Sequence, residues 1–587
     1  MSTWQFMVRL FTYRPDLFAV NVILWALFHL LPLAFGLLTK AVFDALTGAA
    51  AFGWNVWTLL LLLAAAGLGR AGVFHVAFRL YSEYYSIVQA LLRRNLMAHL
   101  MLAAGSRILP ESPSEAVTRF RDDVEDVAEY FENWIDLAGF ALFGLSALAV
   151  MCAIDPLITV VACGPMFLMT WMMQRMGELI RRYRRAFREA TALVTGFIGE
   201  TFAAVQAVKV AGKEEAMTQR FAGLGHARRR AALKDTLMRE FIDTANTNLV
   251  NVGIGAVLLL AAAQMRSGQF TVGDFALYVN VLPRLTRVLT FIGRTMAQHK
   301  RTRVAFDRML HLLQDSPPEN LVAHVPLHLT GELPPLEREP VRHWPLEVLE
   351  VKGLTFHYPG TRAGIEDVSF TVRRGEFVVI TGRIGSGKTT LLRALLGLVP
   401  PQRGEVWWNG RRVEDPASFF RPPHAAYTAQ VPQLFSETLR ENILLGEEDQ
   451  ARLAQALELA VLGPDVASLE RGLDTLVGTR GVKLSGGQVQ RTAAARMFAR
   501  EADLMVFDDL SSALDVETER KLWDALFAQR DATCLVVSHR QAALQRASRV
   551  IVLEGGRIVA EGPPAELIER GALDHLFNVH ETLRGRS

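Results

Sequence analysis

The segment Gly382-Arg-Ile-Gly-Ser-Gly-Lys-Thr389 follows an apolar, β-branched run, FVVIT (377–381), and precedes a helical pattern, TLLRALLGL. A G-x-x-x-x-G-K-[ST] string between a strand and a helix is built to hold phosphates. Gly382, Gly385 and Gly387 let backbone N–H groups close around the phosphate oxygens. The helix start bearing Thr389 and Thr390 adds partial positive charge. Lys388 offers a point charge to the outer phosphates, and the Thr389 hydroxyl suits Mg²⁺. A second apolar run, LMVFD (504–508), ends at Asp508 and is followed by Asp509. An acid at the carboxyl end of a parallel strand beside such a loop stands where Mg²⁺ needs a ligand. Between the two lies LSGGQ (484–488), opening the helical pattern VQRTAAARMFAR. Ser485, Gly486 and Gly487, with Gln488, form a second phosphate-shaped nest. One nucleotide does not need two nests from one chain. The pattern therefore implies a composite site, in which the second nest serves a nucleotide held by another copy of the domain.

These groups need a sheet to carry them. From about 346 onward, short β-branched strands such as FVVIT, LMVFD and CLVVS (534–538) alternate with helical patterns. That alternation predicts an α/β domain with a largely parallel sheet. The first part of the chain has another solvent. Six apolar runs lie near 17–39, 56–78, 134–154, 157–176, 246–265 and 272–292, and a helix of about 20 apolar residues crosses the hydrocarbon. The sixth is the weakest, interrupted by Asp274, Arg284 and Arg287. The first is too long for a signal peptide and lacks its cleavage site. Arginines and lysines crowd the connections at about 79–132 and 177–240 and nearly vanish from those at 40–55, 155–156 and 266–271. By the positive-inside rule the basic connections and both termini are cytoplasmic. The basic connections read as helical continuations, projecting ~30 Å or more below the membrane. A proline-rich stretch, 316–345, reads as a linker. The expected organisation is an all-α, six-helix transmembrane domain over 1–315, the linker, and an α/β P-loop domain over 346–580.

Composition agrees. A chain of 587 residues exceeds one hydrophobic core. With 63 basic and 60 acidic residues, the net charge of +3 gives no reason to expect a nucleic-acid partner. Cys152, Cys163 and Cys534 have neither disulfide nor zinc spacing and read as core or lipid-facing residues.

With these motifs in order, the chain resembles an ATP-binding-cassette exporter half-transporter, one six-helix membrane domain fused to one nucleotide-binding domain. The resemblance covers nearly the whole length. It implies a multi-pass protein of the bacterial inner membrane, a second half-transporter as partner, and ATP and Mg²⁺ as ligands. The cycle it implies is ATP-driven closure of two such domains, switching a membrane cavity from inward to outward facing. It also implies roles for further residues. Tyr358 (FHYPG) matches the aromatic residue that stacks on adenine. Gln430 (YTAQVPQ) matches the glutamine that reaches Mg²⁺ and the attacking water. Asp515 (SALD) matches the loop that crosses to the partner domain, and His539 the histidine that contacts the γ-phosphate. Segments 112–127 and 206–216 look like the cytoplasmic loops that dock on the ATPase.

Two positions depart from the pattern. Where the family usually has Glu, the general base, this chain has Asp509, one methylene shorter. A base must reach its water within about 3 Å, and a shortfall of ~1 Å can cost roughly 10²-fold in rate. Either the chain pairs with a different half that carries Glu, the preferred reading, or it forms a slowly hydrolysing homodimer. Thr479 in VGTRG replaces a usual acid. Asp509 also leaves room for an ATP-gated channel or regulator with weak hydrolysis, and an importer on the same fold fits these residues too. No residue names the substrate. Arg70, inside the second run, points either to an anionic or amphipathic substrate or to a structural pair with Asp136 or Asn21. Thr244, Asn248 and Asn251 share a helical face that suits either a pathway lining or interhelical hydrogen bonds. His29 and His75 are too isolated to assign.

Overall fold

The apolar runs fold as helices that continue well past the length needed to cross hydrocarbon. The computed structural model describes all residues except 49–53, 103–111, 268, 315, 332–333, 335–342, 448, 479–480, 511–513, 529–531 and 574–587, and not every side chain in α3, α6 and α8. Helix α1 (Thr3–Phe11) is followed by α2 (Pro15–Leu46), α3 (Val56–Leu102), a short α4 (Pro113–Thr118), α5 (Val124–Ile154), α6 (Pro156–Ala203), a short α7 (Val205–Val210), α8 (Glu214–Arg266) and α9 (Val272–Leu313). The six expected spans fall within α2, α3, α5, α6, α8 and α9. Among the described residues, α2, α3, the stretch Pro113–Ile154 and α9 are long and apolar enough to cross a membrane, while the fourth and fifth spans show shorter apolar helices, Pro156–Met166 and Asn251–Arg266. With 47, 48 and 53 residues, α3, α6 and α8 are each ~70 Å or longer, more than twice the hydrocarbon thickness.

Local chemistry sets the corners. Asp155 caps α6, its carboxylate accepting the Ile158 N–H at 2.8 Å, and Pro156 occupies the first helical position. That pairing turns the chain between α5 and α6 almost without a loop. Thr271 and Asp274 form a capping box at the start of α9. Beside it lies Lys40, the one basic residue of the 40–55 connection. Lys40 is neutralised by Asp44 at 2.9 Å and Asp274 at 2.6 Å, and Asp44 accepts the Gly273 N–H at 3.2 Å. This cluster pins the end of α2 to the start of α9. Segment 112–127 forms α4, a π-helical turn at Arg119–Asp123 and the start of α5, and 206–216 forms α7 and the start of α8.

The chain divides into two compact units, the first made of Met1–Met97 and Pro110–Leu329 and the second built around Thr330–Ser587. In the second, strands β1 (Val348–His357), β2 (Gly364–Arg373), β4 (Arg403–Trp408) and β5 (Arg411–Arg412) form an antiparallel sheet in the order β2-β1-β4-β5. Strands β3 (Phe377–Thr381), β6 (Ala425–Thr428), β7 (Leu504–Asp508), β8 (Thr533–Val537), β9 (Arg549–Glu554) and β10 (Arg557–Gly562) form the other, ordered β10-β9-β3-β8-β7-β6. All of its pairings are parallel except β10 with β9. Every residue of β3, β7 and β8 is buried, as expected for parallel strands covered on both faces. Strand β8 begins one residue before CLVVS. The antiparallel sheet was not among the sequence expectations; β1 and β2 alternate apolar with polar residues because one face is buried.

Lys40→Met would leave Asp44 and Asp274 without their counter-charge. Thermal unfolding in nanodiscs should show a loss of about 3 kcal/mol, with Lys40→Arg much milder. Unchanged unfolding would mean the cluster holds nothing together.

Candidate nucleotide site

The order of the parallel sheet delivers the candidate groups to one edge. Loops leaving the carboxyl ends of β3, β6, β7 and β8 carry the phosphate loop, Gln430, Asp509 and His539 respectively, as open α/β sheets do at their binding crevice. The phosphate loop ends at Gly387, which precedes helix α10 (Lys388–Leu395) with φ +100°. A Cβ at Gly387 would also lie 2.8 Å from the Gly364 carbonyl. Only glycine meets both demands. Lys388 bends back over the loop, donating to the carbonyls of Gly382 and Arg383, each at 2.9 Å. Burial holds its ammonium below the usual lysine range, against the pull of Asp509 and Asp508. A desolvated cation capping a ring of N–H groups fits a polyphosphate. Thr390 is buried under the loop, and Gly385 lies open to solvent.

Asp508 has no exposed surface. Its carboxylate accepts the Thr389 hydroxyl at 2.8 Å and the Tyr427 hydroxyl at 3.2 Å. Burial pushes Asp508 above the usual carboxylate range, while Thr389, Tyr427 and Arg393 pull it back. Tyr427 is itself pushed up to about 12, mainly by burial and then by the Asp508 charge. Tyr427 and Arg393 were not recognised in the sequence. Tyr427 reaches Asp508 because β6 pairs with β7, and Arg393 sits on α10 beyond the phosphate loop; neither position carries a local sequence signal.

Asp509 stands in the left-handed region, φ +54°, a conformation in which Asp and Asn are enriched among non-glycine residues. Gln430 Nε2 donates to Asp509 Oδ2 at 3.4 Å. His539 Nδ1 lies 3.9 Å from Asp509 Oδ1, and the His539 side chain is 59% exposed. Asp509 is 8% exposed, and its buried Oδ1 has no hydrogen-bond partner among the described residues. Burial also raises the Asp509 pKa, against His539 and Gln430. Two buried carboxylates held toward their protonated forms, one oxygen unpartnered, beside a threonine hydroxyl: this donor set fits a divalent cation with oxygen ligands.

The remaining residues lie apart from this cluster or serve local structure. Tyr358 follows β1, half-buried, its ring 5.1 Å from Phe356. Ser485 is the N-cap of the helix Gly486–Phe498, closing a capping box with Gln488. The Gln488 amide also donates to Asp465 at 2.9 Å. No hydrogen bond of Ser485 or Gln488 among the described residues goes to the phosphate loop, and Ser485 and Gly486 are exposed. Asp515 caps the helix Val516–Phe527, accepting the Thr518 N–H at 2.9 Å. That bond holds its carboxyl below the usual range. Thr479 lies outside the described residues. Cys163 and Cys534 are buried and Cys152 is exposed, all three free.

In the membrane unit the suggested pairing of Arg70 is corrected. Asp136 pairs with His29 at 3.1 Å, and Asn21 donates to the Leu17 carbonyl in its own helix. Arg70 instead lies over the Phe28 ring, 4.4 Å from its centroid. Asn248 likewise donates to Thr244 O within α8, and among the described residues no hydrogen bond from Thr244, Asn248 or Asn251 reaches another helix.

Residues 365–512 match the family model described as ABC transporter, and residues 18–285 match the one described as ABC transporter transmembrane region. The chain belongs to the ABC transporter family. An ATP-dependent lipid A-core flippase of Xanthomonas campestris pv. campestris (strain 8004) is 30% identical over 506 residues, covering 83% of this chain and 81% of that protein. The flippase of the same description from Bordetella avium (strain 197N) is 30% identical over 488 residues, 82% of this chain and 80% of that one. The solved structure of a bacterial Atm1-family ABC exporter with ATP bound covers 97% of this chain and 100% of its own, with a TM-score of 0.72 at 20% identity, a likeness of fold. The protein is thus an ABC exporter half-transporter, an ATP hydrolase coupled to transport that works as a dimer in the bilayer. The channel and importer readings are not favoured.

Since Asp508 and Asp509 hold protons to higher pH than ordinary carboxylates, acidification removes their metal-binding forms early. Mg²⁺-dependent affinity for a fluorescent ATP analogue should fall as pH drops through their raised pKa values. Tyr427→Phe, which removes a donor to the ionised Asp508, should move that fall upward by up to about one pH unit. A Tyr427→Phe profile that overlays the wild type would show that the phenol does not tune Asp508.

Proposed function

We propose that each chain contributes two complementary parts to two nucleotide sites, and that Asp509 makes the site on this chain's own phosphate loop the slow one. The observation that carries this reading is the separation of parts. Lys388, Thr389, Asp508, Asp509, Gln430 and His539 belong to one edge of the sheet, while the Ser485 nest caps a different helix and leaves its first N–H groups exposed. In this reading Lys388 and the N–H groups around Gly385 and Gly387 bind the phosphates of ATP, and Tyr358 stacks on adenine. Thr389, Asp508 and Gln430 hold Mg²⁺, which when bound neutralises charge on the phosphates. Asp509 accepts the proton of the attacking water, with Gln430 and His539 orienting its carboxylate. Ser485, Gly486, Gly487 and Gln488 close on the partner's nucleotide, and Asp515 lies at the seam.

We read 1–315 as the membrane domain, 316–345 as linker and 346–580 as ATPase. The charge pattern of the connections supports cytoplasmic termini and residence in the bacterial inner membrane. Coupling requires only that ATP favour the closed pair; moving that equilibrium from 1:99 to 99:1 takes about 5.5 kcal/mol of differential binding. The partner we favour is a half-transporter with Glu where this chain has Asp509. The relatives described as lipid A-core flippases support an amphiphile as the cargo.

The test is turnover of the chain purified alone in proteoliposomes. Wild type should hydrolyse ATP slowly, Asp509→Glu should raise the rate at least tenfold, and Asp509→Asn should abolish it. A fast wild type slowed by Asp509→Glu would show that the left-handed backbone already places the shorter acid correctly, and would favour the homodimer.

A further inference from the structure

The Ser485 nest is shaped by side chains that the catalytic edge does not use. Ser485 caps the helix Gly486–Phe498, and the first N–H groups of a helix have no partner within it. Their aim is set by the capping box. The Ser485 N–H donates to Gln488 Oε1 at 2.8 Å, and the Gln488 N–H donates to Ser485 Oγ at 3.3 Å. A glutamine amide can face either way, with an oxygen that accepts and a nitrogen that donates. Here Asp465 decides the direction. An ionised carboxylate only accepts, so Asp465 takes the Gln488 Nε2–H at 2.9 Å. That turns Oε1 toward the Ser485 N–H.

Asp465 is fixed in turn by Arg491, three residues beyond Gln488 and therefore on the same helical face. Arg491 Nη1 and Nη2 donate to the two carboxylate oxygens at 2.5 and 3.1 Å, the two-pronged pairing that adds geometric specificity to energy. The Arg491 and Asp465 side chains are only 13% and 17% exposed, so solvent screens the pair little. Arg491 Nη1 also donates to the Val461 carbonyl at 2.7 Å. Val461 stands at φ +53°, a conformation that is an outlier for a β-branched residue and that persists only where its surroundings dictate it. This corner leads from the helix Gln450–Leu459 into the helix Gly463–Ser468, whose first turn carries Asp465. A strained corner, an arginine and a carboxylate thus converge on one amide, and the other end of that amide holds Ser485. No hydrogen bond or ion pair among the described residues links Asp465 or Arg491 to Lys388, Thr389, Gln430, Asp508, Asp509 or His539. The arrangement serves the nest and not the chain's own phosphate loop.

We propose that Asp465 is a positioning residue that acts across the pair: by orienting Gln488 it shapes the nest offered to the partner's nucleotide, and it contributes nothing to the nucleotide on its own phosphate loop. This rests on the shared-site reading and deepens it. Two copies of the full chain bearing different affinity tags would be produced together, one of them Asp465→Asn, and mixed pairs purified through both tags into nanodiscs. Photolabelling with an azido-substituted ATP and Mg²⁺ reports, chain by chain, the nucleotide on each phosphate loop. The half-maximal concentration for labelling the wild-type copy should rise about tenfold, the loss of one hydrogen bond to a charged group. The Asp465→Asn copy should keep the value of the wild-type pair. Asp465→Glu, which retains the accepting carboxylate, should recover most of the loss. Weakened labelling of the Asp465→Asn copy itself is what a merely stabilising ion pair gives; that result, equal losses on both copies, or no loss on either overturns the proposal. Amide hydrogen exchange over 484–491, compared between wild type and Asp465→Asn, needs no pairing. It should quicken severalfold in the variant, and unchanged exchange overturns the proposal whether or not mixed pairs form. Wild-type labelling that is equal in monomer and pair would overturn the shared-site reading instead, and the exchange rates would still report whether Asp465 holds Gln488.

Discussion

A carboxylate with no exposed surface, Asp508, is what the ATPase unit is arranged around. Left alone at the end of β7 it would be costly, since a buried charge must be paired and hydrogen-bonded. Its partners come from different strands: Thr389 follows the β3 loop and Tyr427 belongs to β6. The order β3-β8-β7-β6 is therefore what makes the site. Asp508 joins the phosphate loop to the far side of the sheet, and the same register sets Asp509 between Gln430 and His539. Ionising these buried acids is unfavourable without a cation, so the fold itself favours a divalent cation as their counter-charge.

A parallel logic runs through the membrane unit. Where charge sits inside it, charge is answered: Lys40 by Asp44 and Asp274, His29 by Asp136. Among the described residues, Arg70, Arg284 and Arg287 make no such ion pair.

How much of this was legible in the sequence depends on whether the signal was local. The phosphate loop, β3 and β7 could be read directly, because glycine spacing and buried β-branched runs are properties of neighbouring residues. The long helical extensions were readable from periodicity. Contacts spanning many residues were not. The partner of His29 lies 107 residues away, and the suggested pairing of Arg70 with Asp136 or Asn21 is not seen, because composition cannot say which helix faces which. Tyr427 was passed over because its role depends on strand order. Ser485 and Asp515 were legible as phosphate nest and crossing loop only by resemblance; each is also an ordinary helix cap, and a capping box looks the same in sequence whether or not a phosphate visits it.

The central claim is that the catalytic edge of one chain is incomplete without the Ser485 helix of another. The most direct measurement is ATP turnover per chain on protein resolved by size, in detergent, down to concentrations at which the pair dissociates. Activity should reside in the dimeric fraction, whether of two copies or of this chain with a partner half, and disappear with the monomer. A monomeric fraction that hydrolyses ATP as fast per chain as the dimer would contradict the shared site outright.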